Sequence, residues 1–235
     1  MKIAFIVVLY KTPRSEIVRL KKEIKDLHFK ESQVFCIDNS KNNKGYAFGV
    51  NKGIQKAIKV GAEIFIVMNP DISIQGISKN QLFAPSSYFD IWGFSMKQHG
   101  TIYYKGLLDK WRLSAFLTTI QPNKQYVSTE FVTGSLMVIK KKVIEKIGLL
   151  DESYGMYYED MDYCLRARQA GLKIGIDSAV NYEHFEWSTQ NSKKNKLLAN
   201  SRLKFFWKYS NMKQKAYELL RLPRTTIEWF LLQLK

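Results

Sequence analysis

Ile3-Ala4-Phe5-Ile6-Val7-Val8-Leu9, with Tyr10-Lys11-Thr12 directly after it, decides the fold. An unbroken apolar run of this length is expected of a parallel strand covered on both faces, not of a half-exposed one that alternates. It falls far short of the ~20 residues needed to span a bilayer. Lys2 before it gives it the look of a signal peptide, yet Tyr10-Lys11-Thr12-Pro13 is no small-residue cleavage site. Working outward, Ile17, Leu20, Ile24 and Leu27 recur at helical spacing behind the start signals Pro13 and Ser15. Residues 34–37 form a second apolar run. Ala47, Val50, Ile54, Ala57 and Ile58 mark a second helix, and residues 63–68 a third strand. This β-α-β-α-β order predicts an α/β fold with an open, Rossmann-like, mostly parallel sheet flanked by helices.

Ligands of such sheets bind beyond the carboxyl ends of the strands. The segments to read are therefore Tyr10-Lys11-Thr12, Asp38-Asn39-Ser40 and Asn69-Pro70-Asp71. Past Asp71 the pattern loosens. Residues 89–96 and 101–104 read as strands of a meander, and 105–129 as an irregular insertion. Residues 131–139 read as a strand opening on Val132-Thr133-Gly134-Ser135, and 141–147 as a short helix ended by Gly148. A helix then runs from the acidic run Glu159-Asp160-Met161-Asp162 to about Ala170, with Gly171 as its C-cap. Beyond Glu186 the chain reads as helical and basic, broken at Pro223. No internal repeat or low-complexity linker divides the core.

The 235 residues carry 37 Lys+Arg against 21 Asp+Glu, a formal net charge of +16, and 46% of them are hydrophobic. That composition suits a globular core and argues against disorder. Cys36 and Cys164 lie far apart with no CxxC spacing, which argues against a disulfide framework or structural zinc site and fits a reducing cytoplasm. Residues 193–235 hold eleven Lys/Arg and two Glu, so +9 of the charge sits there, interleaved with Phe205, Phe206, Trp207, Tyr209, Trp229 and Phe230. Nucleic acid, an anionic membrane or a phosphorylated partner would each answer such a patch.

Several residues carry chemistry. Three carboxylates within four residues (Glu159, Asp160, Asp162), flanked by Tyr157 and Tyr158, repel one another in an otherwise basic chain. Partial burial raises such a group toward the pKa of a usable base. An acidic first helical turn complementing the helix dipole accounts for the same letters. Asp38 at a strand end can accept hydrogen bonds from a base or ribose, and the glycines of residues 43–53 let backbone approach a ligand; a plain turn and N-cap use the same residues. Asp71 can bind a divalent cation bridging two phosphates, or simply belong to a Pro-Asp turn. His184 suits a metal or a phosphate, or a structural place; Arg166 and Arg168 balance charge along their helix.

Taken in order, the strand before Tyr10-Lys11-Thr12, Ile37-Asp38-Asn39-Ser40, residues 43–53, Asn69-Pro70-Asp71, Thr133-Gly134-Ser135, residues 159–166 and His184 resemble glycosyltransferase family 2. The nearest flavour is the rhamnosyltransferase-like branch that builds bacterial surface polysaccharides. The resemblance spans roughly residues 1–210 and lies in the ordered set of motifs rather than in any one of them. It implies a GT-A fold over residues 1–190, with residues 191–235 as a basic amphipathic helical region. It further implies a nucleotide-diphosphate sugar donor, inversion at the anomeric carbon and a polyprenyl-diphosphate-linked saccharide acceptor.

Position by position, the resemblance puts Asp38 on the nucleobase, with Tyr10 and Thr12 lining that pocket. Gly45 and Asn51 shape the nucleotide cleft, and Asn69, Gly134, Asp162 and Arg166 join the substrate contacts. Asp71 and His184 hold Mg²⁺ or Mn²⁺ and the diphosphate; Asp160 is the base and Glu159 its neighbour. Asn69 stands where the family carries the first Asp of Asp-x-Asp, which removes one charge. The segment after His184, Phe185-Glu186-Trp187-Ser188, lacks the family's usual small residues. The expected setting is the cytoplasmic face of the cell membrane, with an anionic lipid surface as partner and no nucleic acid. A nucleotidyltransferase on a similar sheet would want a Gly/Lys/Arg-rich loop after the first strand, and Lys11-Thr12-Pro13-Arg14 is a poor one. A non-catalytic basic protein binding membrane or RNA would explain the C-terminal charge but not the strand-end carboxylates.

Overall fold

The computed structural model describes residues 2–186 and 192–233. The opening run forms β1 (Ile3–Leu9), buried at every position. Helix α1 (Arg14–Asp26) starts behind Pro13, where a missing N–H leaves no bond unmade. Then come β2 (Ser32–Asp38), α2 (Tyr46–Lys59) and β3 (Ile64–Met68). β1 pairs in parallel with both β2 and β3. Its side chains alternate between two cores: Ala4, Ile6 and Val8 meet Val50, Ile54 and Tyr163 on one face, while Phe5, Val7 and Leu9 meet Leu20, Ile24 and Trp92 on the other. Burying each such aliphatic side chain stabilises the fold by about 1.5–3 kcal/mol. Helix α2 lies directly on β1, since a Cβ on Gly53 would fall 2.3 Å from Ile6 Cγ2.

The second half continues with β4 (Ile72–Ser73), α3 (Lys79–Phe83), β5 (Ile91–Gln98), β6 (Thr101–Tyr103), β7 (Gly106–Leu108) and β8 (Ala115–Leu117). It ends with β9 (Tyr126–Ser128), β10 (Leu136–Lys140), α4 (Lys141–Ile147), α5 (Glu159–Gln169), β11 (Ile174–His184), α6 (Ser192–Tyr209) and α7 (Met212–Gln233). The large sheet runs β2-β1-β3-β10-β5-β11-β4, with β6 beside β5 and β9 beside β11. β5 and β11 are parallel, whereas β10 lies antiparallel between β3 and β5. Because β10 is reversed, the residues that precede it meet the ends of the parallel strands.

Four sequence expectations need correction. The 105–129 insertion is ordered: β7 and β8 form a hairpin and β9 pairs with β11. The strand expected over 131–139 begins only at Leu136; Phe131 makes an isolated bridge to Gly106, and 132–135 turn toward the sheet edge. Strand β11 had no counterpart in the sequence reading, because Asp177, Asn181 and Glu183 interrupt its apolar pattern and a bulge shifts its register between Asp177 and Asn181. Helix α7 continues through Pro223; a proline removes one N–H from the ladder and leaves the other bonds to hold it.

Helix α6 also packs closely. Phe205 and Phe206 are fully buried, and the Phe205 ring lies 5.3 Å from that of Tyr158. Arg202 of α6 and Arg112 both reach Glu218 of α7, at 2.9 and 3.4 Å.

Candidate active site

The ends of β1, β2 and β3 build one side of the site. Leu9 pairs with Asp38 at the last register position. Asp38 is exposed, and its Oδ1 accepts from the Ser40 N–H at 2.8 Å; hydrogen bonds from Ser40 hold its carboxyl below the usual range. Lys11, with φ of 50°, turns the chain out of β1 so that its N–H reaches Ser40 Oγ at 2.9 Å. Thr12 Oγ1 accepts from the Tyr10 N–H at 3.2 Å, and the Tyr10 ring is half exposed. Gly45 has φ of 95°, and a Cβ there would meet Gly155 O at 2.6 Å. The expectation that the glycines of 43–53 admit a ligand thus changes: Gly45 and Gly53 admit other parts of the chain.

Asp71 sits in the turn between β3 and β4. Its carboxylate Oδ1 lies 3.5 Å from His184 Nε2 at the end of β11, and both side chains are largely buried. The Phe185 N–H donates to Asp71 O at 2.9 Å. His184 Nδ1 is buried and has no hydrogen-bond partner. Asn69 N–H donates to Ser135 O at 2.9 Å, tying this turn to the start of β10. Asp71 Oδ1 and His184 Nε2, side by side, could together ligate a divalent cation, and the imidazole in that pair favours Mn²⁺ over Mg²⁺. Among the described residues, no group of three or more His, Cys, Asp and Glu is gathered into a site of its own.

Asp160 opens α5 and faces Gly134. Its Oδ2 accepts from the Gly134 N–H at 2.8 Å and its Oδ1 from the Met161 N–H at 2.9 Å. Burial nonetheless raises its carboxyl above the ordinary range. Glu159 is raised as well, by burial first and then by Asp160, and its Oε2 is buried without a partner. Both follow Tyr157 and Tyr158, each with φ of 69°, a left-handed conformation that costs a non-glycine residue of order 1–3 kcal/mol. Directly after this turn, the first turn of α5 meets Gly134 through Asp160.

Hydroxyls fill the floor. Ser135 Oγ and Tyr182 Oη lie 2.5 Å apart, with Thr133 Oγ1 2.8 Å from the first and 3.1 Å from the second. Tyr46 Oη donates to Gly134 O at 2.6 Å. Its phenol is pushed far up by burial, with the charges of Glu159, Asp160 and Asp71 adding to the effect. The half-buried Tyr46 phenol thus lies within electrostatic reach of all three carboxylates.

Three expected contacts lie elsewhere. Asn51 is buried, donating to Leu150 O and Glu152 Oε1 at 2.9 and 2.8 Å and accepting from the Leu150 N–H, so it locks the 150–152 loop onto α2. Asp162 has no exposed side-chain surface and takes bonds from Arg166 Nε, Lys208 Nζ and Tyr209 Oη at 2.6–2.8 Å. Arg166 also caps Ile147 O and Leu149 O. In the fold these side chains tie α2, α5 and α6 to the 147–152 segment. Conversely, Tyr46 and Tyr182 join the site with no role assigned to them from the sequence, and Ser135 joins it from the Thr133-Gly134-Ser135 motif. The signal for Tyr182 was alternation within a strand whose polar residues hid it.

No family model matches the chain. Low-salt glycan biosynthesis hexosyltransferase Agl10 of Haloferax volcanii is 30% identical over 154 residues, 62% of this chain. The chain spans about half the length of that relative. Among solved structures, GalNAc-T7 with UDP, GalNAc and Mn²⁺ superposes with a TM-score of 0.61 at 14% identity, over 86% of this chain and 47% of that one. The catalytic domain of Drosophila β1,4-galactosyltransferase 7 with xylobiose gives 0.53 at 15%, over 83% and 79%. The chain has the GT-A glycosyltransferase fold.

Proposed function

We propose that the chain is an inverting glycosyltransferase that moves a hexosyl or deoxyhexosyl group, rhamnose included, from a nucleotide-diphosphate donor to a hydroxyl of a lipid-linked saccharide. The observation that carries this reading is Asp160: a half-buried carboxylate, raised by burial, held at the edge where Asp71 and His184 stand. One carboxylate for a proton and another for phosphates is the division of labour that sugar transfer needs.

The nucleoside lies along Asp38, Tyr10 and Thr12, and the diphosphate reaches Asp71 and His184. The acceptor hydroxyl oxygen attacks the anomeric carbon from the face opposite the diphosphate. As the new C–O bond forms, its proton passes to Asp160 and the bond to the diphosphate oxygen breaks with its electron pair. A divalent cation held by Asp71 and His184 would neutralise charge on the departing diphosphate. Tyr46 and the Thr133–Ser135–Tyr182 hydroxyls hold the Gly134 segment against Asp160. In the same reading, the basic face of α6 and α7 rests on the anionic inner leaflet and brings the site to a polyprenyl-diphosphate-linked acceptor. The test is donor turnover by the purified chain against a panel of nucleotide sugars. Release of no nucleoside diphosphate from any of them, with or without Mn²⁺, would overturn the reading.

A further inference from the structure

We propose that Arg19 of α1 is a positioning residue that sets the presentation of Asp71. This rests on the glycosyltransferase reading. The Arg19 guanidinium uses its whole fork. Nε donates to Glu16 Oε2 at 2.8 Å and Nη1 to Glu23 Oε1 at 2.6 Å, while Nη2 donates to both Pro70 O and Ile72 O at 3.3 and 2.9 Å. Those carbonyls belong to the residues immediately before and after Asp71. Glu23 extends the grip by accepting from Ser73 Oγ and from the Ile74 N–H, the latter at 2.8 Å.

The same guanidinium lies 5.2 Å from the ring of Phe185, and it is the Phe185 N–H that holds Asp71 O at 2.9 Å. Arg19 therefore touches both segments that carry the expected cation ligands: the turn with Asp71 and the end of β11 with His184. A planar guanidinium bonds in two directions at fixed angles, which a point-charged ammonium does not reproduce. With the fork gone, the turn keeps the Phe185 N–H bond to Asp71 O and the short β4–β11 pairing, but the carbonyls on either side of Asp71 lose the side chain that holds them both.

The test uses the full chain with Arg19→Met and Arg19→Lys. Mn²⁺-dependent binding of UDP, GDP and dTDP is measured by calorimetry, alongside the matching nucleoside monophosphates without metal. Backbone hydrogen exchange is followed in the chain without ligand. Loss of a residue that orients a metal ligand is expected to weaken Mn²⁺–nucleoside diphosphate binding about 10–100-fold. Monophosphate binding should stay within twofold, and Arg19→Lys should resemble Arg19→Met. Exchange at Ile74 and Phe185 should quicken while β1 amides keep their rates, which separates release of the turn from general loosening. Unchanged exchange at Ile74 and Phe185 would overturn the assignment whatever the donor. So would faster exchange with unaltered Mn²⁺–diphosphate affinity, or monophosphate binding that falls equally. A wild-type chain that binds none of the three diphosphates overturns the glycosyltransferase reading, and this role for Arg19 with it.

Discussion

At the scale of single residues, the first turn of α5 holds the sharpest division. Asp160 is held by two backbone N–H groups and faces Gly134, whereas Asp162, two residues on, is sealed beneath Lys208 and Tyr209. Asp160→Asn should therefore lower transfer by about 10²–10⁴-fold while nucleotide binding survives. Near-normal turnover in Asp160→Asn with loss in Glu159→Gln would move the base to Glu159. Glu159 itself gives a pH signature. Burial and the neighbouring Asp160 raise its folded-state carboxyl above the ordinary 4.5, so from its unfolded-state value up to its folded-state value the folded chain holds more protons than the unfolded one, and stability falls as pH rises. Glu159→Gln should remove that fall and stabilise the protein at pH 8 more than at pH 5. Denaturant midpoints at the two pH values measure it; an equal change at both would show that folding does not raise the Glu159 carboxyl. At the turn of β3, Asp71→Ala and a chelator should each weaken nucleoside diphosphate binding. Undiminished affinity in chelator would leave basic side chains to neutralise the phosphates.

At the scale of elements, helix α6 is joined to α5 through buried charge. Lys208 Nζ bonds Asp162 and Asp151 at 2.6 and 2.9 Å, and although burial opposes it, these bonds hold the ammonium well above its usual range. Lys208→Met leaves Asp162 with Arg166 and Tyr209 but one cation short. Breaking a buried pair costs about 3–5 kcal/mol, and the remaining partners should keep this variant near the lower end. A melting temperature within 2 °C of wild type, roughly the smallest shift 1 kcal/mol gives in a chain of this size, would show α6 to be loosely attached. The strands and helices of the first 70 residues were legible because β1, α1 and α2 each follow one period. Asp71 and Asp160 were legible as types of residue at known edges. What hid the rest was long-range pairing: β11 reads as mixed polarity until β5 covers it, and no local pattern announces the bonds of Asn51 to the 150–152 loop or of Asp162 to Lys208 and Tyr209.

At the scale of the whole molecule, the charge is lopsided and so is the apolar surface. Leu219, Leu220 and Ile227 of α7 are exposed at 55%, 84% and 60%, beside Lys213, Lys215, Arg221 and Arg224. No helix among the described residues is long and apolar enough to cross a membrane. If α7 lies on the bilayer, each Lys or Arg near its surface adds about 1 kcal/mol. Flotation should then carry the protein with anionic but not neutral vesicles, and truncation after Arg221 should abolish it. Equal recovery in the unbound fraction with both vesicle types would count against the membrane reading.

The reversed strand β10 has a consequence for how the chain comes off the ribosome. β2, β1 and β3 draw on the first 68 residues, yet the free side of β3 is covered only by residues 136–140. During synthesis, a nascent chain carries an apolar, unpaired strand edge for nearly 70 residues of elongation, a template for pairing with its neighbours. A fragment ending near residue 130 should therefore aggregate where one ending after β11 stays soluble.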